Sequence, residues 1–163
     1  MLCKHQVRIG NSGDGGWDVC DDKAYKPKKP CLVYSFGINR DYSFDDGIVE
    51  RYGCEVHSFD PTMYTREHKL APNVWFHPIG LAGRNGKMDK MGPIRTLGSI
   101  RKLLNHTHKA IDILKIDIEG MEWESFREMT KSDVLSDIRQ LAIEFHSKAF
   151  FRKEKSISRE WTS

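Results

Sequence analysis

A chain of 163 residues holds one domain with a sizeable core, and not comfortably two. Its hydrophobic fraction of 39% and charged fraction of 30% fit a soluble globular protein rather than a disordered one. The net charge of +3 is small and local: Lys148, Arg152, Lys153, Lys155 and Arg159, set against Glu154 and Glu160, account for all of it. That balance does not support a basic groove for nucleic acid, although a scattered basic tail leaves weak contact with a membrane surface open. No stretch approaches the roughly 20 apolar residues of a membrane span, and the N-terminus lacks the apolar core of a signal peptide. The default expectation is the cytoplasm, with the secretory pathway open if an upstream segment is missing.

Residues 1–30 are rich in Gly, Asp, Lys and Pro and read as an irregular entry segment ending at Pro30. They contain Cys3 and Cys20; Cys31 and Cys54 follow. No Cys-x-x-Cys pair is present, which argues against a zinc ribbon. A Cys20–Cys31 bridge is conceivable. Buried free thiols are the favoured expectation, because Cys31 and Cys54 each open an apolar run.

The first run, 31–36, is short and nearly continuous, as a strand buried on both faces should be. Residues 43–52 read as a helix with Phe44, Ile48 and Tyr52 on one face, Ser43 and Asp46 in the form of a capping box, and Gly53 as C-terminal cap. A second strand is expected over 54–59, closed by Asp60-Pro61. A third is expected over 74–79, ending early or bulging at Pro78. After a Gly/Lys/Asn loop over 82–95, Thr96 can cap a helix over 97–106. The strongest strand covers 111–118. A short helix over 121–129 follows, with Trp123 and Phe126 expected to pack on the sheet. A fifth strand over 138–145 precedes a basic polar tail over 147–163. Alternating strands and helices predict a doubly wound, mostly parallel α/β sheet with right-handed crossovers over 31–146.

In such a sheet, ligands bind where the strands run out. Ser35, Gly37 and Asn39 follow the first strand, and Gly37 permits close approach of backbone to a ligand. A plain turn glycine is the bland reading. Asp60 follows the second strand, 23 residues after Gly37, and suits a ribose; its bland reading is an Asp-Pro turn. Asp117 and Glu119 end the fourth strand on the same side as Lys115 if alternation persists. Glu144 and His146 end the fifth. Asp117, Glu119 and His146 have no fixed ligand spacing, so no metal centre is expected. His57, His77, His106 and His108 read as strand or surface residues rather than catalysts.

The runs Tyr34-Ser35-Phe36-Gly37-Ile38-Asn39, Phe59-Asp60-Pro61 and Lys115-Ile116-Asp117-Ile118-Glu119-Gly120-Met121-Glu122-Trp123 resemble the FkbM-type methyltransferases and the related methyltransferase-like domain proteins of animals. The likeness covers about residues 10–146 and implies a Rossmann-like fold using S-adenosylmethionine. It further implies that Ser35, Gly37 and Asn39 border the methionine part, that Asp60 holds the ribose, and that Gly80 and Leu81 lie near the adenine. Asp117 and Glu119 would face the transferred methyl, which the family passes mainly to oxygen. Glu119 or His146 would be the base. The fold's final antiparallel strand pair is not expected here, because residues 147–163 are few and polar, as in a C-terminally truncated form. Two alternatives stand: a catalytically silent relative, and a nicotinamide-dependent oxidoreductase, which would need a richer glycine fingerprint.

Overall fold

The computed structural model describes residues 3–63, 65–89 and 92–146. The entry segment is not irregular throughout. It forms an antiparallel hairpin of β1 (Gln6–Ile9) and β2 (Trp17–Cys20). Val7 faces Val19 and Ile9 faces Trp17, so apolar cross-strand pairs hold it together.

Next come β3 (Leu32–Phe36), α1 (Ser43–Tyr52), β4 (Glu55–Phe59), β5 (His68–Ala71) and β6 (Val74–His77). A small sheet follows, of β7 (Gly80–Leu81), β8 (Gly86–Lys87) and β9 (Pro93–Arg95). The chain then runs through α2 (Leu97–Leu103), β10 (Ile113–Ile116), α3 (Glu122–Lys131) and β11 (Leu141–Ile143). The central sheet has the order β11-β10-β3-β4-β6-β5, with only β5 antiparallel to its neighbour. The chain starts in the middle at β3, moves outward to β6, then crosses back to β10. Strand order therefore reverses between β3 and β10, the place where a doubly wound sheet opens a crevice.

Alternation along β3 builds the two core layers. Leu32, Tyr34 and Phe36 join Phe59, Leu114 and Ile116 under Leu97, Ile100 and Met129 of α2 and α3. Val33 joins Val56, Val74 and Ile113 under Phe44 and Ile48 of α1, with Ile9 and Val19 of the hairpin.

Several expectations need correction. The cysteines are not free thiols, and Cys20 does not pair with Cys31: the bonds are Cys3–Cys20 and Cys31–Cys54. The parallel register sets Leu32 beside Glu55, which brings the preceding Cys31 and Cys54 to a Cα separation of 4.8 Å, inside disulfide range. Ser43 is the first helical residue rather than a cap. Its N–H donates to Asp41 Oδ1 at 2.9 Å and its hydroxyl accepts from Asn11 N at 3.2 Å. Gly53 does close α1 in the left-handed region, at φ 65°. Thr96 caps α2, accepting from Ser99 N, but the helix stops at Leu103, ahead of a left-handed turn at Asn105. Phe126 packs on the core, whereas Trp123 is 53% exposed, meets Phe145 in a tilted ring contact and donates its indole N–H to the His146 carbonyl. The expected strands over 111–118 and 138–145 shorten to β10 and β11. Among the described residues the sheet ends at β11; the polar tail lies outside them.

Candidate functional site

The carboxyl ends of β3, β4 and β10 meet β7 around a cavity of about 620 Å³, within the range of small-molecule sites. Ser35, Gly37, Asn39, Asp60, Gly80, Leu81, Asp117, Glu119 and His146 all line it. The turn after β3 forms its floor. Gly37 sits at φ 75°, and a Cβ there would collide with the Asp117 backbone carbonyl, so glycine alone lets β3 and β10 run out side by side. Its N–H donates to Phe59 O at 2.9 Å. Asn39 and Arg40 continue at φ 40° and 66°, left-handed values that non-glycine residues seldom adopt.

Asp60 holds that turn in place. It is 4% exposed, and its Oδ2 accepts from Asn39 N at 2.8 Å. Its Oδ1 accepts from Thr62 N at 2.8 Å and Thr62 Oγ1 at 2.6 Å. The Asp-Pro turn is thus real, and Asp60 also lines the cavity, with one lone pair of Oδ2 unused among the described residues. Lys115 clamps the turn from the β10 side, donating from Nζ to Phe36 O at 3.1 Å and Gly37 O at 2.9 Å. Burial holds its ammonium below the ordinary lysine value. Gly80 and Leu81 are buried on β7, and a Cβ on Gly80 would lie 2.8 Å from Pro61 Cγ. Leu81, Met88 and Ile94 form an apolar wall that sequence reasoning reached only at Leu81.

The opposite wall is charged. Glu119 is left-handed at φ 54°, so strand alternation has already ended there. Asp117 Oδ1 and Glu119 Oε2 nevertheless converge on His146 Nε2, at 3.9 and 3.8 Å, with Glu144 Oε1 at 3.7 Å. Burial pushes the Asp117 carboxyl up. His146 Nδ1 lies 2.9 Å from Glu122 Oε1, a contact that raises the imidazole above its usual value. Sequence reading assigned Glu122 no role. It is fully buried and also accepts from Ile118 N and Gly120 N, both at 2.9 Å. Burial raises its carboxyl, but these hydrogen bonds and His146 outweigh that and the net direction is down. A Glu in the first turn of a helix, just after a Gly-containing turn, is the signal that could have found it.

Among the described residues, the lining carries Asp14, Asp41, Asp60, Asp117, Glu119 and Glu144 against the ammonium of Lys115. An excess of carboxylates suits a cationic ligand and opposes a pyrophosphate, which needs N–H donors and positive charge.

A family model described as "Methyltransferase domain" matches residues 1–159. The chain is 32% identical over 140 residues to probable methyltransferase-like protein 24 of Homo sapiens, and 34% identical over 140 residues to that of Rattus norvegicus. Each match covers 80% of this chain and 38% of the relative, so the chain spans well under half the length of the curated relatives it matches. No solved structure matches.

Proposed function

Since the chain belongs to the methyltransferase-domain family, we propose that its cavity binds S-adenosylmethionine and passes the methyl group to an oxygen of an acceptor. The observation that carries this reading is that the Gly37 turn, the Asp60 carboxylate and the Glu122–His146 pair border one cavity or support its wall. When bound, S-adenosylmethionine supplies an electrophilic methyl on a sulfonium. The residues present fit it: the spare lone pair of Asp60 suits a ribose hydroxyl, and the apolar wall of Leu81, Met88 and Ile94 suits a flat base. Ser35, Gly37 and Asn39 are assigned to the methionine part, and Asp117 to the sulfonium side. The run Lys115-Ile116-Asp117-Ile118-Glu119-Gly120 supports kinship with the FkbM type.

His146 is the base in this reading. With Nδ1–H donating to Glu122 Oε1, the Nε2 lone pair faces the cavity and can take the proton of an acceptor hydroxyl. Glu122 orients the ring and stabilises the imidazolium that forms. Glu119, 83% exposed at its side chain, lies at the mouth and faces the acceptor. The two disulfides favour maturation in an oxidising compartment over the cytoplasmic default. Among the described residues no helix is long and apolar enough to cross a membrane.

Titration calorimetry with S-adenosylmethionine and with NAD tests the cofactor. Saturable binding of the first, lost in Asp60→Ala, is expected; binding of NAD alone would overturn the assignment. Turnover of methyl-labelled cofactor against acceptor panels, wild type against His146→Gln, then separates an enzyme from a silent binder.

A further inference from the structure

Along β4 and β6, on the face of the sheet that carries Tyr34 and Phe59, three histidines read from sequence as strand or surface residues are buried together. His57 is 6% exposed, His77 2% and His106 6%. None of them lines the cavity described above. We propose that Glu55, His57 and His106 form a binding site for one divalent transition-metal ion of the zinc type.

The geometry carries the first part of the argument. One ligand atom from each of the three residues lies within 4.8 Å of the others. Glu55 Oε1 is 2.9 Å from His57 Nε2 and 3.5 Å from His106 Nε2. A tetrahedral zinc with bonds of about 2.0–2.1 Å sets its ligand atoms about 3.3 Å apart, so the Glu55 contacts need shifts of only a few tenths of an ångström. Both imidazoles are held from behind, as metal-bound histidines are. His57 Nδ1 lies 2.7 Å from His77 Nε2, and His106 Nδ1 lies 2.8 Å from Tyr34 Oη. Glu55, with its side chain 36% exposed, puts the cluster in contact with solvent, and its second oxygen, Oε2, lies 3.5 Å from Lys109 Nζ.

The second part is a count of protons. Glu55, His57, His77 and Glu67 stand in a row. His57 Nε2 faces Glu55, His57 Nδ1 faces His77 Nε2, and His77 Nδ1 lies 3.4 Å from Glu67 Oε2. Three gaps need three protons, yet two neutral imidazoles bring two. Once the first two gaps are filled, His77 Nδ1 turns a bare lone pair toward a carboxylate. That buried atom has no hydrogen-bond partner among the described residues. Both imidazoles are buried, and burial opposes a charged ring. A cation between Glu55 and His57 Nε2 removes the shortage: His57 Nδ1–H then donates to His77, and His77 Nδ1–H points to Glu67. Neutral imidazole is also the form that binds metal.

The test is titration of the chelator-treated full chain with zinc chloride alone, read by competition calorimetry, elemental analysis and thermal melting. One zinc per chain is expected, with a raised melting temperature. Glu55→Gln and His106→Gln should each weaken binding at least about tenfold, while His146→Gln leaves it unchanged. Glu55 is half-exposed, so Glu55→Gln decides the matter if His106→Gln fails to fold. Failure of a natively melting wild type to bind zinc overturns the proposal. So does affinity unchanged in Glu55→Gln, or binding lost only in His146→Gln, which would place the ion among Asp117, Glu144 and His146.

Discussion

Replacing Asp60 by Asn changes one oxygen to an NH2 group and little else. The native carboxylate receives two backbone N–H groups from opposite sides: Asn39 N on Oδ2 and Thr62 N on Oδ1, both at 2.8 Å. An amide has a single oxygen. With that oxygen toward Thr62, the NH2 confronts Asn39 N–H; reversed, it confronts Thr62 N–H. Either way a buried donor faces a donor, which costs about 1–3 kcal/mol, and the surviving bonds lose their charge assistance. A net loss of about 2–3 kcal/mol corresponds to a fall in Tm of about 4–12 °C for a chain of this size. If the spare Oδ2 lone pair also holds a ribose hydroxyl, losing a charged hydrogen bond weakens S-adenosylmethionine by about 10–100-fold. Thermal melting by circular dichroism and titration calorimetry read the two effects separately. A melt within about 1 °C of wild type would refute the hydrogen-bond network drawn around Asp60. A lowered melt with unchanged affinity would leave Asp60 as a turn residue and remove it from the ligand.

Asp45 is fully buried on α1, hydrogen-bonded by Ser58 Oγ at 2.6 Å, and burial pushes its carboxyl up to about 6. Because the folded value exceeds the unfolded one, this group favours the fold below about pH 4 and opposes it increasingly as pH rises through 6. Asp45→Asn should therefore raise Tm at pH 7, with the gain fading toward pH 4; an equal gain at both values would contradict the burial argument. Full reduction should lower stability by about 3 kcal/mol for each bridge, since the disulfides close chain segments with sequence separations of 17 and 23 residues. A melt unchanged by reductant, with thiols counted as free, would count against both bridges. In Glu122→Gln the imidazole loses the contact that raises it, so the acidic limb of kcat/KM, where a general base becomes protonated, should move to lower pH while S-adenosylmethionine still binds; an unmoved limb would remove Glu122 as the positioning partner of His146.

What was legible in the sequence was local. Runs such as Leu32–Phe36 and Ile113–Ile116 announce buried strands because every residue is covered on both faces. Gly53 and Thr96 announce helix ends because their chemistry acts within a few residues. Ser35, Gly37, Asn39, Asp60, Asp117 and Glu119 followed from knowing that ligands sit where such strands end, Gly80 and Leu81 from the family resemblance, and Met88 and Ile94 from neither. What was missed depends on register. Cys31 and Cys54 meet because β3 and β4 start side by side, and a 23-residue separation says nothing of that. His57 and His77 stack because Phe59 pairs with His77 two positions along the same ladder, while His106 arrives from the turn after α2. The β1–β2 hairpin was hidden by its brevity: Val7 and Ile9 about Arg8, and Trp17 and Val19 about Asp18, alternate as strands should, but over only four residues each.

The two sides of the cavity are built with unequal rigidity, and this bears on how variants will sort. On the proposed cofactor side, the Gly37 turn is pinned from β4 by Phe59 O, from the following loop by Asp60, and from β10 by Lys115. No residue there can change without disturbing a neighbour, so substitutions should alter stability and cofactor affinity together. On the proposed acceptor side, His146 follows the short edge strand β11, and among the described residues Glu122 is the side chain hydrogen-bonded to its ring. If His146 is the base proposed above, substitutions there should alter turnover while leaving the fold intact, because its ring is hydrogen-bonded to one carboxylate. A pinned floor and a lightly held base are what a fixed cofactor and a variable acceptor require of one scaffold.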